Sequence, residues 1–184
     1  MNLTEQESIF CQALAMTSLP GELSNKDFLN SDYYNENITF IGNNDNLKKI
    51  LRASGLGNLA TMQMFLYILL VMPKETLLRL DTTTINSWEN ALKTTIQSFN
   101  VNVTTTYPGE SSSDLSTVNY YRHIRNAVSH AKCVYETEKG RTYVTFKDKD
   151  PKNSYHCEIK MLTSDVGSIL EVLQKQIMIY LNRQ

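Results

Sequence analysis

The chain has 184 residues, 41% of them hydrophobic and 20% charged, with a formal net charge of -1. That size and composition describe one ordinary globular domain, residues 1–184, and exclude the disordered and collagen-like classes. The near-zero charge excludes a protein that coats nucleic acid or membrane by bulk electrostatics.

Thr4 and Glu7 form a Thr-x-x-Glu capping box ahead of Ile9, Phe10, Ala13, Leu14 and Leu19, which predicts a first helix stopped by Pro20 and Gly21. Residues 22–44 are rich in Asn, Asp and Tyr and read as irregular, with a short extended piece around residues 38–41. Asp45 or Asn46 can cap a short helix through Leu47, Ile50 and Leu51, with Gly55 as a left-handed C-terminal cap. Residues 56–72 are apolar nearly all round, the mark of an enclosed helix, and Pro73 is expected to end it. Its most apolar stretch, residues 59–72, falls short of the ~20 residues that cross a bilayer. Ile85, Trp88, Leu92, Ile96 and Phe99 then trace an amphipathic helix over residues 84–99, and residues 100–112 read as a surface loop.

A further helix is predicted to open at Ser113 or Asp114 and run to Ala131, with Val118, Tyr121, Ile124 and Val128 on its apolar side. Residues 133–135 and 142–146 look extended, and residues 155–161 alternate well enough to pair with the second of these. Ser164 caps a last helix through Val166, Ile169, Leu173, Ile177 and Leu181. The expected fold is mainly α: a helical bundle with a small antiparallel hairpin near the C-terminus. Cys11, Cys133 and Cys157 make no zinc or disulfide pattern and read as free thiols, which with the acidic, non-apolar start MNLTEQESIF points to a cytoplasmic protein without membrane attachment.

Charge is unevenly spread. Residues 119–160 hold nine Lys/Arg against five Asp/Glu, whereas residues 1–118 hold seven against twelve. Inside the basic segment, residues 122–132 read RHIRNAVSHAK. On a helix, Arg122, Asn126 and His130 share one side, and Arg125 points to its flank. A guanidinium fixed near an imidazole suits phosphodiester cleavage, which needs a proton carrier near neutral pH and a cation for charge growing on phosphate. No carboxylate cluster or Cys/His set for a metal is legible. Tyr120 and Tyr121 are candidates to stack on bases, or to serve the core; Trp88 reads as a core anchor and His156 as a structural residue of the hairpin.

The stretch Arg125-Asn126-Ala127-Val128-Ser129-His130, late in a helical domain and followed by a strand pair and a C-terminal helix, resembles the R-x(4-6)-H signature of the HEPN superfamily (higher eukaryotes and prokaryotes nucleotide-binding). The layout of residues 113–184 is the core of that resemblance. It implies a metal-independent endoribonuclease, often a toxin or defence effector, that needs no cofactor and works as a homodimer through the motif helix. His130 would be the general acid/base, Arg125 would stabilise the transition state, and Asn126 would orient the phosphate or His130. RNA would leave with a 2′,3′-cyclic phosphate end, and Arg122, His123 and Lys132 are the candidate RNA-contacting neighbours. A neutralising antitoxin is a further expected kind of partner. However, HEPN toxins silenced by nucleotidyltransferases carry a tyrosine two residues after the histidine, where this chain has Lys132. The rival expectation is a non-catalytic HEPN-like module that binds nucleotide, RNA or protein.

Geometry gives a separate reason to expect a dimer. On one helix Arg125 and His130 lie about 140° apart, so two helices about a two-fold axis pool them more easily than one.

Overall fold

The structure, a computed structural model, describes residues 4–43, 45–77 and 81–182. Helix α1 (Glu5–Asn25) starts with the expected capping box: the Thr4 hydroxyl accepts from the Glu7 N–H at 3.2 Å, and the Glu7 carboxylate accepts from the Thr4 N–H at 2.9 Å. Against expectation, α1 runs through Pro20 and Gly21. A proline costs a helix one donor and crowds the carbonyl four residues back. Here that carbonyl belongs to Met16, an exposed residue, so the lost bond falls on a solvent-facing part of the helix. Residues 38–41 form no strand; Ser31 instead caps a short helix α2 (Asp32–Asn37), and a 3-10 turn covers Ile41–Asn43.

Helix α3 (Asp45–Ser54) places Asp45 in its first turn and ends at Gly55, whose φ of 73° is the left-handed cap that the sequence predicts. Helix α4 (Leu59–Leu66) continues through a π-helical turn, Tyr67–Val71, into α5 (Met72–Thr76), so Pro73 does not end it. In that wide turn the Met72 N–H reaches the Tyr67 carbonyl five residues back, which shifts the carbonyls that the proline ring would otherwise strike. Nor is this helix enclosed all round: Leu66 and residues 68–71 are buried, but Leu59, Met64 and Tyr67 are exposed. Helix α6 (Thr82–Gln97), capped by Asp81, buries Trp88, Leu92 and Ile96 as their spacing predicts. It packs on the C-terminal helix α8 (Thr163–Leu181), where Trp88 meets Tyr180 edge-on at 6.4 Å. Full burial of such side chains is worth about 1.5–3 kcal/mol each. Ser164, expected as the cap of α8, lies in its first turn; the cap position is Leu162. No single helix among the described residues is long and apolar enough to cross a membrane.

The sheet is larger than the expected hairpin. Four antiparallel strands run in the order β1-β4-β3-β2: β1 (Asn102–Thr105), β2 (Cys133–Glu138), β3 (Arg141–Lys149) and β4 (His156–Leu162). β1 falls within the expected surface loop and pairs with β4, Val103 opposite Ile159. The β2–β3 hairpin closes on Lys139 and Gly140, both at positive φ, as a two-residue turn compatible with strand twist. Along β4, Cys157, Ile159 and Met161 point inward at period two. The three cysteines are free, as expected.

Helix α7 (Tyr120–Ser129) packs on β3, α6 and the π-helical turn. It begins later than the apolar pattern suggests. Asp114 holds a separate 3-10 turn, Leu115–Thr117, and the Asn119 side chain caps α7 by accepting from the Arg122 N–H at 2.9 Å. It also ends earlier, with His130 as its C-cap. Ala131 follows at φ 52°, its N–H bonded to Val128 O at 3.2 Å, while the Lys132 N–H reaches Ala127 O at 2.7 Å. Those paired bonds form a Schellman closure, which normally carries glycine where Ala131 stands. A left-handed alanine costs about 1–2 kcal/mol, partly offset in a glycine variant by the freer unfolded chain. Ala131→Gly is therefore expected to raise the thermal midpoint by about 2–4 °C. A calorimetric scan showing no rise would contradict this account.

Candidate active site

The C-terminal end of α7 faces the β3–β4 hairpin across a cleft of about 980 Å³. Asn126, His130 and Lys132 line one wall; Lys147, Asp148, Lys149, His156 and Glu158 are among the hairpin residues that line the other. His130 is exposed and, among the described residues, makes no side-chain hydrogen bond. Its imidazole is thus available to a ligand. Three lysines against two carboxylates give the cleft a net positive charge, and all three lysines come from the basic segment of the sequence.

Beneath the cleft lies a buried polar chain. His123 is only 1% exposed: its Nδ1 stands 2.7 Å from Asp148 Oδ2, and its Nε2 stands 2.8 and 2.9 Å from the two Glu110 oxygens. One ring thus bridges two carboxylates, a nitrogen to each. Asp148 Oδ2 also accepts from Asn126 Nδ2 at 3.2 Å and from the Tyr107 hydroxyl at 3.3 Å, and Asn126 Oδ1 in turn accepts from Arg125 Nη2 at 2.7 Å. Burial, then the Asp148 charge, pushes the Tyr107 phenol up to about 12, so it stays a donor. Glu110 is anchored from its far side by the Thr105 hydroxyl at 2.9 Å and the Asn119 N–H at 3.3 Å. The chain Arg125–Asn126–Asp148–His123–Glu110 thereby fixes the amide of Asn126 and, through it, one edge of the Arg125 guanidinium.

The six residues singled out in the sequence separate in space. Asn126, His130 and Lys132 meet in the cleft. Arg125 is half-buried beside it, bonded to Asn126. Arg122 is exposed and lies over the Tyr107 ring at 4.9 Å, a cation–π contact. His123, expected among the RNA-contacting residues, is instead internal, because α7 turns that position toward Glu110 and Asp148. Tyr120 and Tyr121 are both buried, which removes them as base-stacking platforms, and Trp88 is a core anchor as expected.

Two groupings were not legible in the sequence. Lys147, Lys149 and His156 reach the cleft from β3 and β4, and their only linear signal was the basic excess after residue 119. Glu110, His123 and Cys157 bring ligand-type atoms within 4.8 Å of one another, a set that could hold a metal ion and that residue spacing did not reveal. As placed, His123 bonds Glu110, and burial, followed by the Glu110 charge, pushes the Cys157 thiol up to about 12 and keeps it neutral.

The model of one protein family, described as HEPN pEK499 p136, matches residues 1–184. The chain belongs to this HEPN family. Its match spans the entire sequence, so the four-stranded sheet and the long N-terminal helix fall within the family's extent along with the Arg125–His130 motif. No curated protein and no solved structure matches the chain.

Proposed function

We propose that this HEPN protein is a metal-independent endoribonuclease whose reaction takes place in the cleft between α7 and the β3–β4 hairpin. The observation that carries this is the His130 imidazole, without a side-chain hydrogen bond among the described residues, sharing one groove with three lysines. Lys132, Lys147 and Lys149 would hold the phosphates of the strand, because a cationic groove tracks the backbone. The 2′-hydroxyl attacks the adjacent phosphorus and the bond to the 5′-oxygen breaks, leaving a 2′,3′-cyclic phosphate and a 5′-hydroxyl. His130 exchanges a proton with one of those oxygens. Arg125, held by Asn126, would answer the negative charge that grows on the non-bridging oxygens once a strand lies near its flank. Pairing of two chains through α7 would set two such clefts side by side, and a toxin or defence effector is the setting that fits an RNA-cleaving HEPN protein.

Incubation of the purified chain with a mixed-sequence RNA tests this directly. The expected result is cleavage that persists in EDTA and yields cyclic phosphate ends; intact RNA would refute it. Binding has its own expectation. Replacing Lys132, Lys147 and Lys149 with glutamine should flatten the slope of log K against log salt by about 2, at roughly 0.7 per lost phosphate contact on single strands. An unchanged slope in fluorescence titrations would place the RNA elsewhere.

A further inference from the structure

We infer that His156 is a second proton-transfer residue of this cleft, so that His130 and His156 divide the two proton movements of the cleavage between them. The inference rests on the ribonuclease function proposed above. Transesterification needs one group to take the proton of the 2′-hydroxyl as the O2′–P bond forms, and another to give a proton to the 5′-oxygen as the P–O5′ bond breaks. One imidazole cannot do both in a single step.

His156 lines the same cleft as His130, from the hairpin. Its Nδ1 is anchored 3.2 Å from the Thr106 hydroxyl, and its backbone N–H donates to that hydroxyl oxygen at 2.9 Å. Among the described residues Nε2 makes no hydrogen bond, so the ring is held by one nitrogen and open at the other. Oriented imidazoles in hydrolytic sites have this arrangement, because fixing one nitrogen sets the direction of the second. Lys149 sits directly opposite His156 in the β3–β4 register, which puts a cation beside it for the phosphate. The other charged or titratable groups of the cleft are His130, Lys132, Lys147, Asp148 and Glu158. In one turnover a neutral imidazole gains the 2′-proton and a protonated imidazole loses one to the leaving oxygen, so proton count and charge balance without any co-reactant.

The test compares His156→Gln, His156→Asn and His130→Gln with the parent on two substrates: a short RNA, and a uridine 3′-aryl phosphate whose leaving group departs without a proton. All three variants are expected to lose about 10²-fold or more in kcat/KM on RNA, and the parent's bell-shaped pH profile should lose a limb in each. On the aryl ester, one histidine's variants recover most of the rate while the other's do not, which identifies the acid. If both His156 variants cleave RNA at the parent rate with both limbs intact while His130→Gln is inactive, the inference falls and the ribonuclease function stands. If the parent cleaves neither substrate, both fall.

Discussion

His130→Ala is expected to lower RNA cleavage by about 10²–10⁴-fold while leaving the fold and most of the RNA affinity in place. The expectation follows from position. His130 is the C-cap of α7 and is exposed, and its backbone N–H, not its ring, makes the bond to Asn126 O at 3.1 Å that closes the helix. Removing the ring therefore deletes the proposed proton carrier and little packing. Affinity should change little because the cleft's three lysines, which would hold the strand, are untouched. Single-turnover rates and a binding titration on the same variant separate the two effects. A variant that cleaves as fast as the parent would remove His130 from the chemistry; one that loses binding in parallel would make it a contact residue.

His123→Ala is expected to cost about 3–5 kcal/mol of stability, the largest single loss outside the apolar core. Deleting the ring leaves the Glu110 and Asp148 carboxylates facing each other's charge across a buried gap, with their remaining partners, Thr105, Asn119, Asn126 and Tyr107, all neutral. Urea titration measures the loss, and a change below about 1 kcal/mol would mean that water enters and solvates the pair. Joint replacement of Glu110, His123 and Asp148 by apolar residues of similar volume should be much less damaging than His123→Ala, because it removes the stranded charges together with their partner.

The helices that the sequence revealed best are those whose information is local. The Thr4/Glu7 capping box and the Ile85–Trp88–Leu92–Ile96 stripe each lie within one element, and both are present as read. Two prolines misled for a shared reason. A proline removes a donor anywhere, but whether the helix stops depends on what becomes of the carbonyl behind it. Exposure settles that at Pro20, and the π-helical turn settles it at Pro73. Strand β1 was hidden because four residues between turn signals acquire their structure from β4, more than fifty residues downstream.

Half of the candidate site was legible in the same sense. Asn126, His130 and Lys132 belong to one short stretch whose residue types announce phosphate chemistry. The hairpin wall did not announce itself. Lys147 and Lys149 alternate with the buried Asp148 like any strand with one wet face, and only the approach of the end of α7 to β3 brings them into one cleft with His130. His123 was misjudged because a helical wheel assigns sides but not neighbours. Glu110 and Asp148, thirteen residues before it and twenty-five after, make its side an interior one.

Asp148 joins the two walls of the cleft. One oxygen of this β3 residue accepts from Asn126 and His123 of α7, and from Tyr107 beyond β1. Helix and hairpin are consequently riveted at a residue that itself lines the groove, and their spacing is fixed there. A strand entering such a groove meets groups already at their working separation, so the ordering entropy of association falls on the flexible nucleotide chain and hardly on the protein.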